Sequence, residues 1–233
     1  MTLFEMYELI ELILNKDYLG NIWSPERFKQ LIKVVNIDKY KKKYGLPEEY
    51  QPGRPIPKEY IEITLKNTDD MKAFKIFVPG MACPGGFLAY PTNYAHRDQI
   101  VFNRTTVING VSQAIPRQVE ILRESESAAR RGNYTKAPST KYPIAVMRSN
   151  GIQIYPTSIA TVDFAYWRWP ADPNFVYFQE EGFISYNASA STEFEWPRDV
   201  HIELVRMMLE YMGVNLREGD IVQYANTKIQ QGI

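Results

Sequence analysis

The sequence predicts an α+β fold, and three observations lead to it. Amphipathic helical periodicity is confined to the two ends of the chain. Between them run short alternating segments, each bounded by Gly, Pro, Asn or Asp. Short turns join those segments and leave no room for the βαβ crossovers that a parallel sheet needs. The expected arrangement is an N-terminal helical hairpin, a central antiparallel β domain and two C-terminal helices. The expected boundaries are residues 1–45 for the helix–loop–helix, 46–59 for a Pro-rich arm or linker, 60–196 for the β-rich domain and 197–233 for the helix pair.

Length and composition bound the function classes. The 233 residues suit one large domain, or a core domain with small appendages, and are enough to bury a core without staples. Lys+Arg 27 against Asp+Glu 27 leaves no net charge, so no global basic field draws the chain to nucleic acid. The same balance gives little electrostatic resistance to self-association. Cys83 is the single cysteine, which excludes an internal disulfide and a multi-cysteine zinc site and reads as a small buried hydrophobe. Glu5, Glu8 and Glu11 interrupt the first apolar run, and no basic stretch precedes it. It is expected to be neither a signal peptide nor a membrane span.

Taken in order, Thr2 and Glu5 form a capping box, and Leu3, Met6, Tyr7, Ile10, Ile13 and Leu14 share one helical face. Ser24 as N-cap and Pro25 at the first helical position start a second helix, striped by Phe28, Leu31, Ile32 and Val35. The loop between them has a degenerate EF-hand spacing, with Asn15 at position 1, Asp17 at 3, Gly20 at 6 and Glu26 at 12. Leu19 and Trp23 stand where oxygen ligands belong, so no metal is expected there. The basic run Lys39 to Tyr44 reads as a solvated helix terminus complementing the dipole.

Four prolines lie between Leu46 and Pro57, and a segment of that composition is an extended arm. Pro52 and Pro55 are its expected contacts with a neighbouring subunit. Strands are expected at 60–65, 73–78, 87–90, 99–103 and 117–122, followed by a short charged helix at 124–131. Ile144 to Met147 and Ile152 to Tyr155 flank the turn Ser149-Asn150-Gly151 and make a hairpin. Ile159 to Trp169 alternates until Pro170. A strand at 183–186, an edge piece at 189–196, a helix from Pro197 to Gly213 and a last amphipathic helix over 218–231 complete the chain.

Catalytic chemistry has little to stand on. His96 and His201 are the two histidines, without carboxylates at metal-ligand spacing, and no G-x-S-x-G motif occurs. Asp69-Asp70 and Glu180-Glu181 are adjacent acids, which point to opposite faces of a strand. Neither an enzyme nor a cofactor is expected. Aromatic residues are dense instead. Tyr166, Trp167, Trp169, Phe175, Tyr177 and Phe178 crowd together, with Tyr166 and Arg168 expected on one strand face and Trp167 and Trp169 on the other. One aromatic face needs a cover, so Tyr166, Trp167, Trp169, Phe175 and Tyr177 are the expected protein interface.

Three segments together carry a family resemblance: NKDYLGNIWSPERF, the central YPIAV, GIQIYP and YWRWPADPNFVYF, and the ending TEFEWP with HIELVRMMLEYMGVNLREGDIVQYANTKIQQGI. In these the chain resembles structural proteins of the crAss-like tailed bacteriophages of Bacteroidetes, components of the neck stacked as rings between portal and tail. The resemblance implies a head–tail connector protein that self-assembles into a cyclic ring and docks to other neck, portal or tail proteins. DNA contact in the channel, no membrane, and residence in a virion assembled in the host cytoplasm go with it. The alternative from the residues is a carbohydrate- or host-surface-binding β-rich module of the virion, with exposed tryptophans stacking on sugars.

Overall fold

The computed structural model describes residues 1–16, 23–44, 68–180 and 183–212. The fold is mixed α+β, built on antiparallel pairing. The chain divides into two compact units, one made of Met1–Ala73 with Pro170–Ile233 and the other of Phe74–Trp169. This division differs from the expected β domain at 60–196, because residues 170–196 group with the helices. The Pro-rich arm at 46–59, the strand at 60–65 and the last helix at 218–231 lie outside the described residues.

In the β unit, one four-stranded sheet has the order β1-β8-β3-β4, formed by Lys75–Ala82, Thr161–Arg168, Tyr94–Ile108 and Val111–Gln118. The second has the order β2-β7-β6-β5, formed by Phe87–Ala89, Gly151–Tyr155, Ile144–Met147 and Glu120–Leu122. Side chains of both sheets share a core. Ile100, Val162, Phe164 and Tyr166 come from the first sheet and Leu88, Ala145, Ile152 and Ile154 from the second. The alternation of Val162, Phe164 and Tyr166 along β8 puts these three on the core face.

One pairing departs from the expected all-antiparallel sheet: β5 runs parallel to β6. The link between them holds α3 (Glu124–Arg131), so the charged turn of the sequence is a crossover helix. A crossover of this length suffices to bring a parallel strand back beside its partner. Gly151 shows why β2 and β7 pair so closely. A Cβ there would sit 2.4 Å from the Leu88 carbonyl oxygen and 2.6 Å from the Phe87 ring.

The helical unit contains α1 (Leu3–Lys16), α2 (Pro25–Tyr44), α4 (Arg198–Tyr211) and the antiparallel pair β9 (Tyr177–Glu180) and β10 (Phe183–Tyr186). The capping box forms as the sequence implies. The Glu5 amide donates to Thr2 Oγ1 at 3.2 Å and the Thr2 amide to Glu5 Oε2 at 2.9 Å. Leu3, Met6, Tyr7 and Ile10 of α1, Phe28, Ile32 and Val35 of α2 and Leu204, Val205 and Met208 of α4 are buried. The basic end of α2 is not simply solvated, as the sequence suggested. Lys39 pairs with Glu203, Lys42 with Asp38 at 3.2 Å, and Lys43 with the buried Asp70 at 2.7 Å.

Candidate functional site

The most distinctive surface is a ribbon that grows out of the first sheet. β3 spans Tyr94–Ile108, yet its pairing with β8 ends at Val101↔Asp163. Its pairing with β4 runs on from Val101↔Gln118 to Ile108↔Val111. Residues 102–117 therefore form a two-stranded ribbon that runs on for about 20 Å, at the rise of a β-strand, from the end of the β3–β8 pairing. Asn109 and Gly110 close it with φ of 52° and 78°, the left-handed geometry that a two-residue hairpin loop demands. Asn-Gly between β-branched residues is the strongest short-range hairpin signal, and the expected strands at 99–103 and 117–122 stop short of it.

Pleating sorts the ribbon's side chains. Ile100 points into the core, so Phe102, Arg104 and Thr106 continue that face, opposite Arg117, Ile115 and Gln113. The reverse face carries Asn103, Thr105 and Val107 with Pro116, Ala114 and Ser112, and all six are exposed. Val107 is 69% and Val111 59% exposed. At the ribbon's root Asn103 Nδ2 donates to Asp163 Oδ2 at 2.6 Å, and the Gly80 amide donates to Asp163 Oδ1 at 2.8 Å.

The aromatic residues expected to form an interface divide sharply. Tyr166 is 4% exposed and belongs to the β-unit core, its hydroxyl 3.1 Å from Asn93 Oδ1, so it cannot serve as a contact surface. Trp167 on the opposite face is 8% exposed, with the Lys75 ammonium 5.4 Å from its ring centre. β8 lies between β1 and β3 in the sheet, and the Tyr166 face packs into the core shared with the second sheet. Trp169 stands past the end of β8, 39% exposed, its ring 5.9 Å from that of His96.

Phe175 is also core rather than interface. It is fully buried in the helical unit, stacked on Tyr7 at 5.6 Å and edge-on to Phe28 at 5.1 Å. Trp23 joins the same cluster, 5.5 Å from Tyr7, so an apolar role explains its place in the degenerate calcium loop. Tyr177 is half-buried and donates to the Glu26 carboxylate, whose pKa that hydrogen bond lowers. Glu26 is thus engaged by a phenol. Asp17 and Gly20 lie outside the described residues, as do Pro52 and Pro55, and the side chain of Asn15 is likewise not described.

A buried polar chain crosses the helical unit. Asn36 is 1% exposed, donates to the Ala171 carbonyl at 3.0 Å and accepts from Trp196 Nε1 at 2.8 Å. His201 Nε2 lies 2.9 Å from the Trp196 carbonyl and must donate to it, while its Nδ1 has no hydrogen-bond partner. Burial lowers the His201 pKa and holds the ring neutral. This arrangement positions α2 against α4 and has no access for a substrate.

In the β unit an open cleft of ≈ 590 Å³ lies beside α3, lined by Leu122, Glu126, Arg130, Thr135, Lys136, Ala137 and Tyr142. Arg130 in that cleft is paired with Glu120. Among the described residues no three of His, Cys, Asp and Glu gather as metal ligands would, and no helix is long and apolar enough to cross a membrane. Comparison with known protein families and with curated proteins gives no match to this chain.

Proposed function

We propose that this chain is a virion structural protein of the phage neck, a head–tail connector that self-assembles into a ring and docks to portal or tail components. The observation that carries the reading is the β3–β4 ribbon. A two-stranded ribbon with one face fully exposed is marginal alone, and it gains stability when another chain covers it. Ring subunits use projecting arms of this kind to hold their neighbours. The aromatic and proline pattern that resembles crAss-like neck proteins points the same way. Contact with DNA in the channel belongs to the same reading.

The finer fold goes with it: α1 and α2 form an N-terminal helical hairpin, and a second C-terminal helix over 218–231 follows α4. The experiment is mass photometry of the purified chain, with electron microscopy of the particle. Cyclic oligomers, and density for the chain between portal and tail, are expected. A chain that stays monomeric and lies outside the neck sinks the reading. Partly exposed Trp169 beside His96 favours a second reading, carbohydrate binding, because the open part of an indole is a stacking platform for a sugar. Glycan binding lost on Trp169→Ala, by a chain that does not assemble, would establish that alternative.

A further inference from the structure

Hydrogen-bond phase along the ribbon shows which of its edges is open. The two-residue loop closes on Ile108↔Val111, so this pair, and every second pair from it down to Phe102↔Arg117, exchanges hydrogen bonds within the ribbon. The amides and carbonyls of Asn103, Thr105 and Val107 on β3 therefore point outward, as do those of Ser112, Ala114 and Pro116 on β4. Pro116 has no N–H to offer, which blunts the β4 edge without loss of a ladder bond. Past Val101, where β8 stops pairing, no described strand covers the edge at 103–107.

The other described sheet edges of the β unit are short or interrupted, and β3 before Val101, paired with β8 alone, carries two register breaks. β1 carries Pro79 and a register break between Val78 and Met81. β2 and β5 are three residues long. The ribbon edge at 103–107 has no proline and no bulge, and Thr105, Thr106 and Val107 are strong strand formers.

Charge then selects the occupant. From Gln99 to Gln118 the sequence holds Arg104 and Arg117 and no acidic residue. Both arginines lie on one face, in neighbouring cross-strand pairs, and among the described residues neither has an ion-pair partner. Arg117 Nε is buried without a hydrogen-bond acceptor. Two like charges on one ribbon disfavour edge-to-edge pairing of two copies and favour an acidic strand.

We infer that the β3 edge at 103–107 takes up an extended, acidic strand of another protein chain by β-augmentation, with a carboxylate against Arg104 and Arg117 adding to the positive charge of the same face. The inference rests on the ring reading only for the source of that strand, a neighbouring virion protein. Main-chain hydrogen bonds from Asn103, Thr105 and Val107 supply the attachment, and the arginines supply the selection.

The test uses the full chain and a short synthetic peptide alternating Glu with Val or Thr, beside a control peptide in which Lys replaces every Glu. Amide hydrogen exchange is followed by NMR. At a peptide concentration about ten times its Kd, exchange at Thr105 and Val107 is expected to slow about tenfold with the Glu peptide, and not with the Lys peptide. Thr105→Pro removes an outward N–H and is expected to abolish the effect while circular dichroism stays unchanged. Should that variant fail to fold, Arg104→Glu carries the test, with preference turning from the Glu peptide to the Lys peptide. Equal protection by both peptides, protection by neither, or amides already protected in the free chain would overturn the inference. Protection by duplex DNA instead of the Glu peptide would overturn it too, and would make the ribbon a nucleic-acid arm. These outcomes do not depend on ring formation, so failure here and failure of the ring reading are separable.

Discussion

From Tyr94 to Val101, β3 pairs with β8 and puts Ile100 in the core, whereas from 102 to 108 it pairs with β4 alone. The same strand thus passes from a segment anchored by Ile100 in the core into one with a fully exposed face, paired only through its own hairpin. Burial changes with it: Ile100 is buried in the core and Phe102 packs against it, while Asn103, Thr105 and Val107 further on are exposed. Burial sets the cost of a substitution in the body, while in the ribbon what matters is the backbone conformation and what the edge offers to another chain.

The largest effect expected is in the body. Phe164→Ala empties a fully buried site and should cost about 3–5 kcal/mol, read as a fall in the denaturation midpoint. Gly151→Ala drives a methyl group into backbone 2.4 Å away and should cost about 1–3 kcal/mol by the same measurement. At the ribbon tip Gly110→Ala meets no neighbour within 4 Å, so only its φ of 78° resists. A penalty of about 1–2 kcal/mol, confined to faster exchange of ribbon amides, is expected.

A smaller effect separates the helical unit from both. Burial places the folded-state pKa of His201 below its ordinary value of about 6.5, so the unfolded chain takes up the proton first as pH falls. The contribution of His201 to stability is present above that value and is lost as pH drops through the folded pKa. His201→Gln should flatten the slope of stability between about pH 7 and 5 relative to the wild type. Val107→Ser, on an exposed ribbon face, should shift stability by no more than about 0.5 kcal/mol. A large loss there would mean that the chain's own packing already holds the ribbon.

The helices and most strands were legible because their signals are local. The capping box at Thr2, the N-cap at Ser24 and the hairpin at Asn150-Gly151 each act within a few residues. What was not legible depends on pairing between distant segments. Alternation puts Tyr166 and Trp167 on opposite faces of β8 but says nothing of what covers each face, and both are buried. Phe175 follows the aromatic block in sequence, yet it packs on Tyr7 and Phe28, far away along the chain. The parallel β5–β6 pair was missed because α3 is short and charged, with Ser127 its sole buried side chain. The ribbon was readable from Asn109-Gly110. Its projection was not, since that depends on where β8 stops.

Cys83 gives the β unit a chemical clock. The thiol is fully buried, its Sγ 3.4 Å from the Ile159 carbonyl oxygen, and burial raises its pKa, so alkylating reagents meet neither an accessible nor an ionised sulfur. As the chain's single cysteine, it makes any labelling report one event, the opening of the sandwich around it. The rate of maleimide uptake in native buffer, compared with that of the unfolded chain, reads out the free energy of that opening without denaturant.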